Sequence, residues 1–407
     1  MSAASPTPDE LVASRRVIVC VGSGGVGKTT LAAALALAGA RAGRRTLVLT
    51  IDPARRLADA LGIEALGNEP QAIDRALLAR LGVPEQGNLE AMMLDMKRTF
   101  DGLVDRFAES PETRERILAN PIYQHVSDAL AGSAEYSAME KVYELAARPE
   151  LDLIILDTPP SQHALDFLEA PERLLGFLDS RFVQLLLHPA FAAGRFGFRL
   201  FHRGLHQAFR LLERVSGLAF LEDLSEFLLL IEGMSEGFRE RAHRVQALLF
   251  GADAAFILAA GASEQSVAHA ERFLDRLEES KAPVRGLVVN RIRRWPEGDG
   301  GAPDALGTER PEGERAAAEQ ALAEALGRRA GEDFPASDAA RAALEVAHGY
   351  ARMVARDEQT TAPLRTRAES SGYFVRLVPE LPRDVHDLEA LAHVTDQMCR
   401  SEEASAG

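Results

Sequence analysis

A glycine-rich stretch near the start of the chain carries the strongest chemical signal. Residues 22–29 read GSGGVGKT and match the G-x-x-x-x-G-K-[ST] pattern of phosphate-binding loops. Glycines let backbone amides turn toward the phosphates, and the N-terminus of the following helix adds its positive dipole end. Lys28 would neutralise phosphate charge, and the Thr29 hydroxyl would bind Mg²⁺. The alternative is an ordinary glycine-rich turn between a strand and a helix. The predicted nucleotide contacts in this stretch are Gly22, Ser23, Gly24, Gly25, Val26, Gly27, Lys28, Thr29 and Thr30.

An aspartate follows the apolar run LDLIIL. Asp157 ends this predicted strand, where its carboxylate could reach the hydration shell of the Mg²⁺ ion, as Walker B aspartates do. The alternative is a helix N-cap, because Thr158 and two prolines come next. Together with the phosphate-binding loop, the pattern favours the metal role.

A second aspartate, Asp52, ends the predicted strand before it and is followed by Pro53. Its carboxylate could position or deprotonate a water molecule beside the γ-phosphate. Asp-Pro is also a common way to begin a helix, so capping is the competing interpretation.

Four motifs in order resemble one family. They are GSGGVGKTT (22–30), TIDPARRLADAL (50–61), LDTPPSQHALDFLEAP (156–171) and LVVNR (287–291). Together they resemble the ArsA-like family of deviant P-loop ATPases, which includes the arsenical pump-driving ATPase and the ATPase that guides tail-anchored membrane proteins. The resemblance runs from about Val17 to Leu391 and implies ATP and Mg²⁺ as ligands.

The resemblance also implies roles for individual residues. Asp52 matches the switch I aspartate that activates water, and residues 157–164 match switch II. Glu264 matches an acidic residue near the nucleotide of a partner subunit. Asn290 matches the asparagine that reads adenine, and Val378-Pro379, after the last strand, matches the segment over the base. Taken alone, Asn290 is typical of a turn, and His163 and Glu264 are typical of a solvated surface. The predicted switch residues are Pro53, Arg55, Arg56, Thr158 and His163.

One departure from the family bears on activity. The deviant P-loop carries a signature lysine before its paired glycines, and this chain has Ser23 there. In relatives that lysine crosses the dimer interface and stabilises phosphate charge, as an arginine finger does. We therefore expect a slow ATPase, or one half of a dimer with a Lys-bearing paralogue. Arg55 and Arg56 are the candidates to replace the lysine.

Strand-like apolar runs alternate with helical segments along the chain, which indicates an α/β fold with a doubly wound, mostly parallel sheet. The predicted strands are Val17–Val21, Arg45–Ile51, Leu89–Leu94, Leu151–Leu156, Ala254–Ala260, Gly286–Val289 and Tyr373–Val378.

The domain prediction has one ATPase domain over residues 15–400. An α-helical subdomain is inserted at about 98–145 and 171–250. The domain prediction also includes a flexible N-terminus (1–14), a surface loop (295–315) and a flexible tail (401–407).

A basic, apolar segment stands out from the acidic chain. From Arg181 to Leu212 there is no Asp or Glu, whereas five arginines and many Phe and Leu residues occur. The Phe182–Phe250 region could line a groove for a hydrophobic client or face a membrane. The alternatives are helices that pack on one another or on the domain body, and a dimer interface.

Composition narrows the function classes. The chain has 407 residues and a formal net charge of −15, which argues against nucleic acid as a partner. Two cysteines, Cys20 and Cys399, are too few for a disulfide scaffold or a four-thiolate zinc site, and they argue against arsenite binding. We find no signal peptide and no transmembrane segment, so we expect a cytoplasmic protein, with peripheral association at a membrane as the alternative.

These observations predict a Mg²⁺-dependent ATPase that acts as a homodimeric or heterodimeric nucleotide switch and couples to a hydrophobic client or membrane-associated partner. One alternative is the ATPase subunit of an anion efflux system. Another is a nucleotide-binding scaffold with negligible turnover. A MinD-like positioning ATPase is disfavoured, because the C-terminus lacks a basic amphipathic helix.

Overall fold

The computed structural model describes residues 5–52, 54–121, 123–124, 133–159, 176, 235–296, 312–330 and 333–399. The strands in this part of the chain are β1 Val17–Gly22, β2 Arg45–Thr50, β3 Gln71–Ala72, β4 Asn88–Met93, β5 Leu153–Asp157, β6 Ala254–Gly261, β7 Val284–Ile292 and β8 Phe374–Pro379. The helices are α1 Pro8–Ser14, α2 Lys28–Arg41, α3 Arg56–Leu61, α4 Arg75–Arg80, α5 Met96–Phe107, α6 Pro111–Ala119, α7 Ser133–Ala146, α8 Ser235–Phe250, α9 Glu264–Glu279, α10 Glu312–Ala330, α11 Ala336–Ser370 and α12 Leu388–Cys399.

The described strands form one sheet in the order β3-β4-β2-β5-β1-β6-β7-β8. All neighbours pair in parallel except β3, which pairs antiparallel with β4. The register puts Asp157 of β5 level with Cys20 of β1 on one side and with Thr50 of β2 on the other. Because parallel strands end at the same edge, the carboxyl ends of β1, β2 and β5 converge there.

Two apolar layers cover the sheet. Alternate residues of β1 point to opposite faces, so Ile18 packs in one core cluster and Val19 in the other. The first cluster includes residues of α1, α2, α3 and α12, and the second includes residues of α7, α8, α9 and α11. Burial on both faces explains the nearly continuous apolar strands, and the prediction of a doubly wound, mostly parallel sheet is confirmed.

The N-terminus contains a short helix. Residues 8–14 form α1, because Thr7 and Glu10 make a reciprocal capping box at its start. Leu11 and Val12 are then buried in the first core cluster. Residues 8–14 are therefore a packed helix, and the flexibility expected of residues 1–14 stays a prediction.

The loop predicted at 295–315 ends earlier in the structure than predicted. Helix α10 begins at Glu312, and Trp295 packs against Tyr350 of α11 with ring centroids 6.0 Å apart. Residues 297–311 lie outside the described part of the chain.

Helices occupy the described parts of the predicted subdomain. Helices α5, α6 and α7 lie in or beside the range 98–145, and α8 lies at the end of the range 171–250. The basic, apolar segment and the tail at 401–407 lie outside the described residues, so these parts of the domain prediction stay predictions. None of the described helices is long and apolar enough to cross a lipid bilayer.

Candidate functional site

The phosphate-binding loop joins β1 to α2, as predicted. Gly27 has φ 89°, a left-handed conformation, and helix α2 begins at the next residue. A side chain at Gly27 would collide with the amide of Asn290, and one at Gly22 would collide with the carbonyl of Ala259. These two glycines are therefore required by both backbone conformation and close packing.

Lys28 reaches back across the loop. Its side chain is buried, and its Nζ donates a hydrogen bond to the Ser23 carbonyl at 3.0 Å. Burial lowers the pKa of Lys28, whereas the carboxylates of Asp157 and Asp52 raise it. The ammonium thus lies in the field of both aspartates that the sequence singled out.

Asp157 is the last residue of β5 and is fully buried. Its Oδ2 accepts a hydrogen bond from the Thr50 hydroxyl at 2.9 Å. Burial raises the pKa of Asp157 to about 6, against the opposing effects of the Thr29 and Thr50 hydroxyls and Lys28. The Thr29 hydroxyl lies near enough to lower the pKa of Asp157. Oδ1 of Asp157 nevertheless lacks a hydrogen-bond partner among the residues that the structure describes.

Asp52 follows β2 and is largely buried. Its Oδ1 accepts the backbone N–H of Ala54 at 3.0 Å, and its Oδ2 lies 3.4 Å from Arg56 Nη1. The N-cap residue of α3 is Arg55, so Asp52 stabilises the turn before the helix rather than the helix itself. Asp52 and Arg56 thus meet as neighbours, and the side chains of Arg55 and Arg56 are both exposed.

Asn290 supports the loop from β7. Its side chain is buried, and its Nδ2 donates to the Val26 carbonyl at 2.9 Å. The next residue, Arg291, has φ 56° at a register shift between β7 and β8. Adenine recognition by Asn290 stays a prediction, since the described contact is to the loop. Pro379 was expected after the last strand but is the last residue of β8, where it pairs with Ile292.

A cleft of about 1450 Å³ is lined in part by residues 23–26 of the loop. The groups on its wall include Ser23, Glu264, Asn290, Arg356 and Glu380. Lys28, Thr29, Asp52 and Asp157 do not line it, so the structure separates these four residues from the predicted residues on the cleft wall. At the cleft wall, Arg356 Nη2 lies 3.0 Å from Glu264 Oε1, and both side chains are about three-quarters exposed.

Sequence reasoning missed Thr50 and the role of Thr158. Thr50 accepts the backbone N–H of Asp52 at 3.2 Å while it donates to Asp157. Thr158 donates its hydroxyl to the Cys20 carbonyl at 2.8 Å and so ties the end of β5 to β1. A hydroxyl residue two positions before Asp52 was the available signal for Thr50. Pro53 and His163 lie outside the described residues.

Both cysteines favour the neutral thiol. Burial raises the pKa of Cys20 well above its usual range, and the carboxylate of Asp157 adds to this effect. Burial and Asp9 likewise raise the pKa of Cys399. Because thiolates are the form that binds soft metals, these environments disfavour such binding at either position.

Comparison with known proteins gives several relatives of moderate identity. The chain is 32% identical over 171 residues to a putative arsenical pump-driving ATPase of Halobacterium salinarum, covering 41% of this chain and 26% of that protein. It is 31% identical over 161 residues to the ATPase GET3 of Malassezia globosa, covering 40% and 44%. It is 26% identical over 285 residues to the ATPase get3 of Aspergillus terreus, covering 68% and 73%. The alignments thus span less than half of the first two relatives.

A family model also matches the chain. The model described as anion-transporting ATPase matches residues 15–300, which contain the phosphate-binding loop, both aspartates and Asn290. This range covers β1 to β7 of the sheet and more than half of the chain. The resemblance inferred from the four motifs is therefore confirmed, and the chain belongs to the anion-transporting ATPase family, the ArsA-like P-loop ATPases.

Proposed function

We propose that the chain is a Mg²⁺-dependent ATPase that hydrolyses the β–γ phosphoanhydride bond of ATP. The observation that carries this proposal is the grouping of Lys28, Asp52 and Asp157 at the carboxyl ends of β1, β2 and β5. Thr50 touches the backbone of one aspartate and the carboxylate of the other, which places both beside the same strand end. One cation and two carboxylates beside an N–H-rich loop are the groups that phosphoryl transfer to water requires.

The residues present suit a Mg²⁺ ion. Oδ1 of Asp157 is buried without a hydrogen-bond partner from the described residues, and the Thr29 hydroxyl lies near this carboxylate. Both groups offer the oxygen atoms that Mg²⁺ prefers, directly or through its water molecules. When bound, Mg²⁺ supplies positive charge to the phosphate oxygens.

The chemical roles follow from position. The loop amides and Lys28 bind the phosphates and stabilise the charge that gathers on them as the bond breaks. Asp52 orients the attacking water and accepts a proton from it, while the oxygen forms the new bond to the γ-phosphorus. The bond from the γ-phosphorus to the bridging oxygen breaks, and ADP and phosphate are the products. Arg56 holds Oδ2 of Asp52 and so helps to orient this carboxylate.

The coupling of this site to a partner is the finer part of the proposal. We infer a homodimer, or a heterodimer with a paralogue, that binds an apolar helical client in one nucleotide state. Support comes from the relatives named GET3 and from the acid-free, arginine-containing segment of residues 181–212. A subunit of an arsenical efflux system is less favoured, because Cys20 and Cys399 are held as neutral thiols.

Ser23 supports a second candidate, a nucleotide-binding scaffold with slow turnover. A serine side chain at this position carries no charge that could act on a partner's phosphates. The main-chain carbonyl of Ser23 holds Lys28, so substitution of the side chain leaves that hydrogen bond possible.

Substitution of Asp52 tests hydrolysis directly. Asp52→Asn should lower kcat by roughly 10²–10⁴-fold, because the amide cannot accept the proton, while the affinity for ATP stays nearly unchanged. Phosphate release and nucleotide binding are the two measurements. The control is Asp59→Asn, an exposed aspartate in the following helix, which should behave as wild type. Equal rates for Asp52→Asn and wild type would contradict the assigned role.

Restoring the signature lysine tests the scaffold candidate. Ser23→Lys should raise kcat of the purified protein, by up to about 10³-fold if the new cation reaches a partner's phosphates. Ser23→Ala should leave the rate unchanged. The idea that Ser23 slows hydrolysis is wrong if wild type already turns over ATP as fast as Ser23→Lys.

The client proposal predicts binding that depends on the nucleotide. Using Asp52→Asn to hold ATP, we expect co-elution with an apolar helical peptide of about 20 residues in ATP and not in ADP. The same peptide with lysines placed along its apolar face is the control. Binding to lipid vesicles without binding to the peptide would replace the client by a membrane surface, and no binding to either would refute the coupling.

The buried carboxylate makes a prediction about stability and pH. The pKa of Asp157 is raised to about 6 in the folded chain and is near 3.9 when unfolded, so its ionisation opposes folding. The free-energy cost of ionising Asp157 in the folded chain appears as the pH rises from about 3.9 to about 6, and it is complete above about pH 6. Without nucleotide or Mg²⁺, Asp157→Asn should therefore raise the free energy of unfolding at pH 7.5 by on the order of 3 kcal/mol.

The advantage of Asp157→Asn should shrink as the pH falls toward 4, as urea unfolding in EDTA can measure. Asp357 provides the contrasting control, because its buried carboxylate binds Arg293 Nη1 at 3.0 Å and the Arg293 backbone N–H at 2.9 Å. Asp357→Asn should destabilise the fold at pH 7.5. An Asp157→Asn variant that is less stable than wild type at pH 7.5 would overturn the argument.

A further inference from the structure

We propose that Thr50 is a positioning residue that holds the Asp157 carboxylate in the orientation needed for Mg²⁺ and ties it to the backbone of Asp52. The proposal rests on the proposed ATPase function and deepens it. Thr50, to which no role was assigned from the sequence, would thus set the geometry of the two aspartates together.

The hydrogen bonds of Thr50 are the first observation. Its side chain is buried at the end of β2, directly beside Asp157 in the parallel register. The hydroxyl donates to Asp157 Oδ2 at 2.9 Å and accepts the Asp52 N–H at 3.2 Å. One oxygen atom therefore contacts both functional strand ends.

The direction of these bonds follows from donor counting. A hydroxyl has one hydrogen to give, and the backbone N–H of Asp52 can only donate, so the Thr50 hydrogen must go to Asp157. Oδ2 is thereby occupied, and Oδ1 is left as the oxygen without a partner from the described residues. Thr50 thus selects which carboxylate oxygen is open to a cation.

Strand packing alone does not explain this arrangement. Thr46 lies on the same face of β2, four residues earlier, and is equally buried. Among the described residues, its hydroxyl donates a hydrogen bond to the nearby Arg44 carbonyl, at 3.3 Å. The same residue type in the same strand thus makes a local bond at one position and a bridge between two strands at the other. Thr46 is accordingly a matched control.

A group that hydrogen-bonds to a metal ligand commonly affects how tightly the metal binds. Removal of a group that orients a ligand typically weakens metal binding by roughly 10–100-fold. Thr50→Val keeps the shape and β-branching of the side chain but removes the hydroxyl, so Asp157 Oδ2 and the Asp52 N–H both lose a partner. Thr50→Ser keeps the hydroxyl.

The experiment measures how much Mg²⁺ strengthens ADP binding. ADP affinity is determined by calorimetry on the full chain, once with Mg²⁺ and once with EDTA, for wild type, Thr50→Val, Thr50→Ser and Thr46→Val. Thermal melting in EDTA confirms that each variant is folded, and Thr50→Ala replaces Thr50→Val if the latter does not fold. The result does not depend on turnover.

We expect Thr50→Val to lose roughly 10–100-fold of the Mg²⁺-dependent gain in ADP affinity while its affinity in EDTA stays as in wild type. Thr50→Ser and Thr46→Val should keep the gain. The proposal is overturned if Thr50→Val keeps the gain within threefold of wild type, or if its affinity falls equally with Mg²⁺ and EDTA. If wild type itself does not bind ADP, the proposed ATPase function fails instead.

Discussion

The site depends on a carboxylate held out of water between two strands. Asp157 ends β5 between β1 and β2, level with Cys20 and Thr50 in the parallel register. Desolvation disfavours its charge, and only hydroxyls and Lys28 act in the other direction. The charge of Asp157 thus opposes folding, whereas a bound cation would stabilise that charge. This is expected for a residue that is kept for binding rather than for stability.

The surrounding structure limits how far this group can move. Thr50 holds one carboxylate oxygen, Thr158 ties the end of β5 to β1, and Asn290 fixes the loop from β7. These hydrogen bonds join segments that are far apart in sequence, so they form only when the sheet is complete. The rigidity of the site is therefore a property of the whole sheet and not of the loop motif.

Much of the fold could be predicted from the sequence, because strands buried on both faces have apolar residues at every position. All seven predicted strands occur, with small shifts at their ends. Strand β3 was missed because its two residues, Gln71 and Ala72, are exposed and have no apolar pattern. The contacts of Thr50 and Asn290 were missed because they depend on register and on a partner as many as 264 positions away.

One wall of the cleft beside the loop carries a weak, exposed ion pair. The Glu264–Arg356 ion pair there is about three-quarters exposed on both sides, and such pairs are worth about 0–1 kcal/mol. Water and salt can replace either partner at almost no loss, so the two side chains are free to exchange partners. Any molecule that enters the cleft therefore meets a pair of charges that can rearrange, whereas the Asp157 carboxylate is held in place by Thr50.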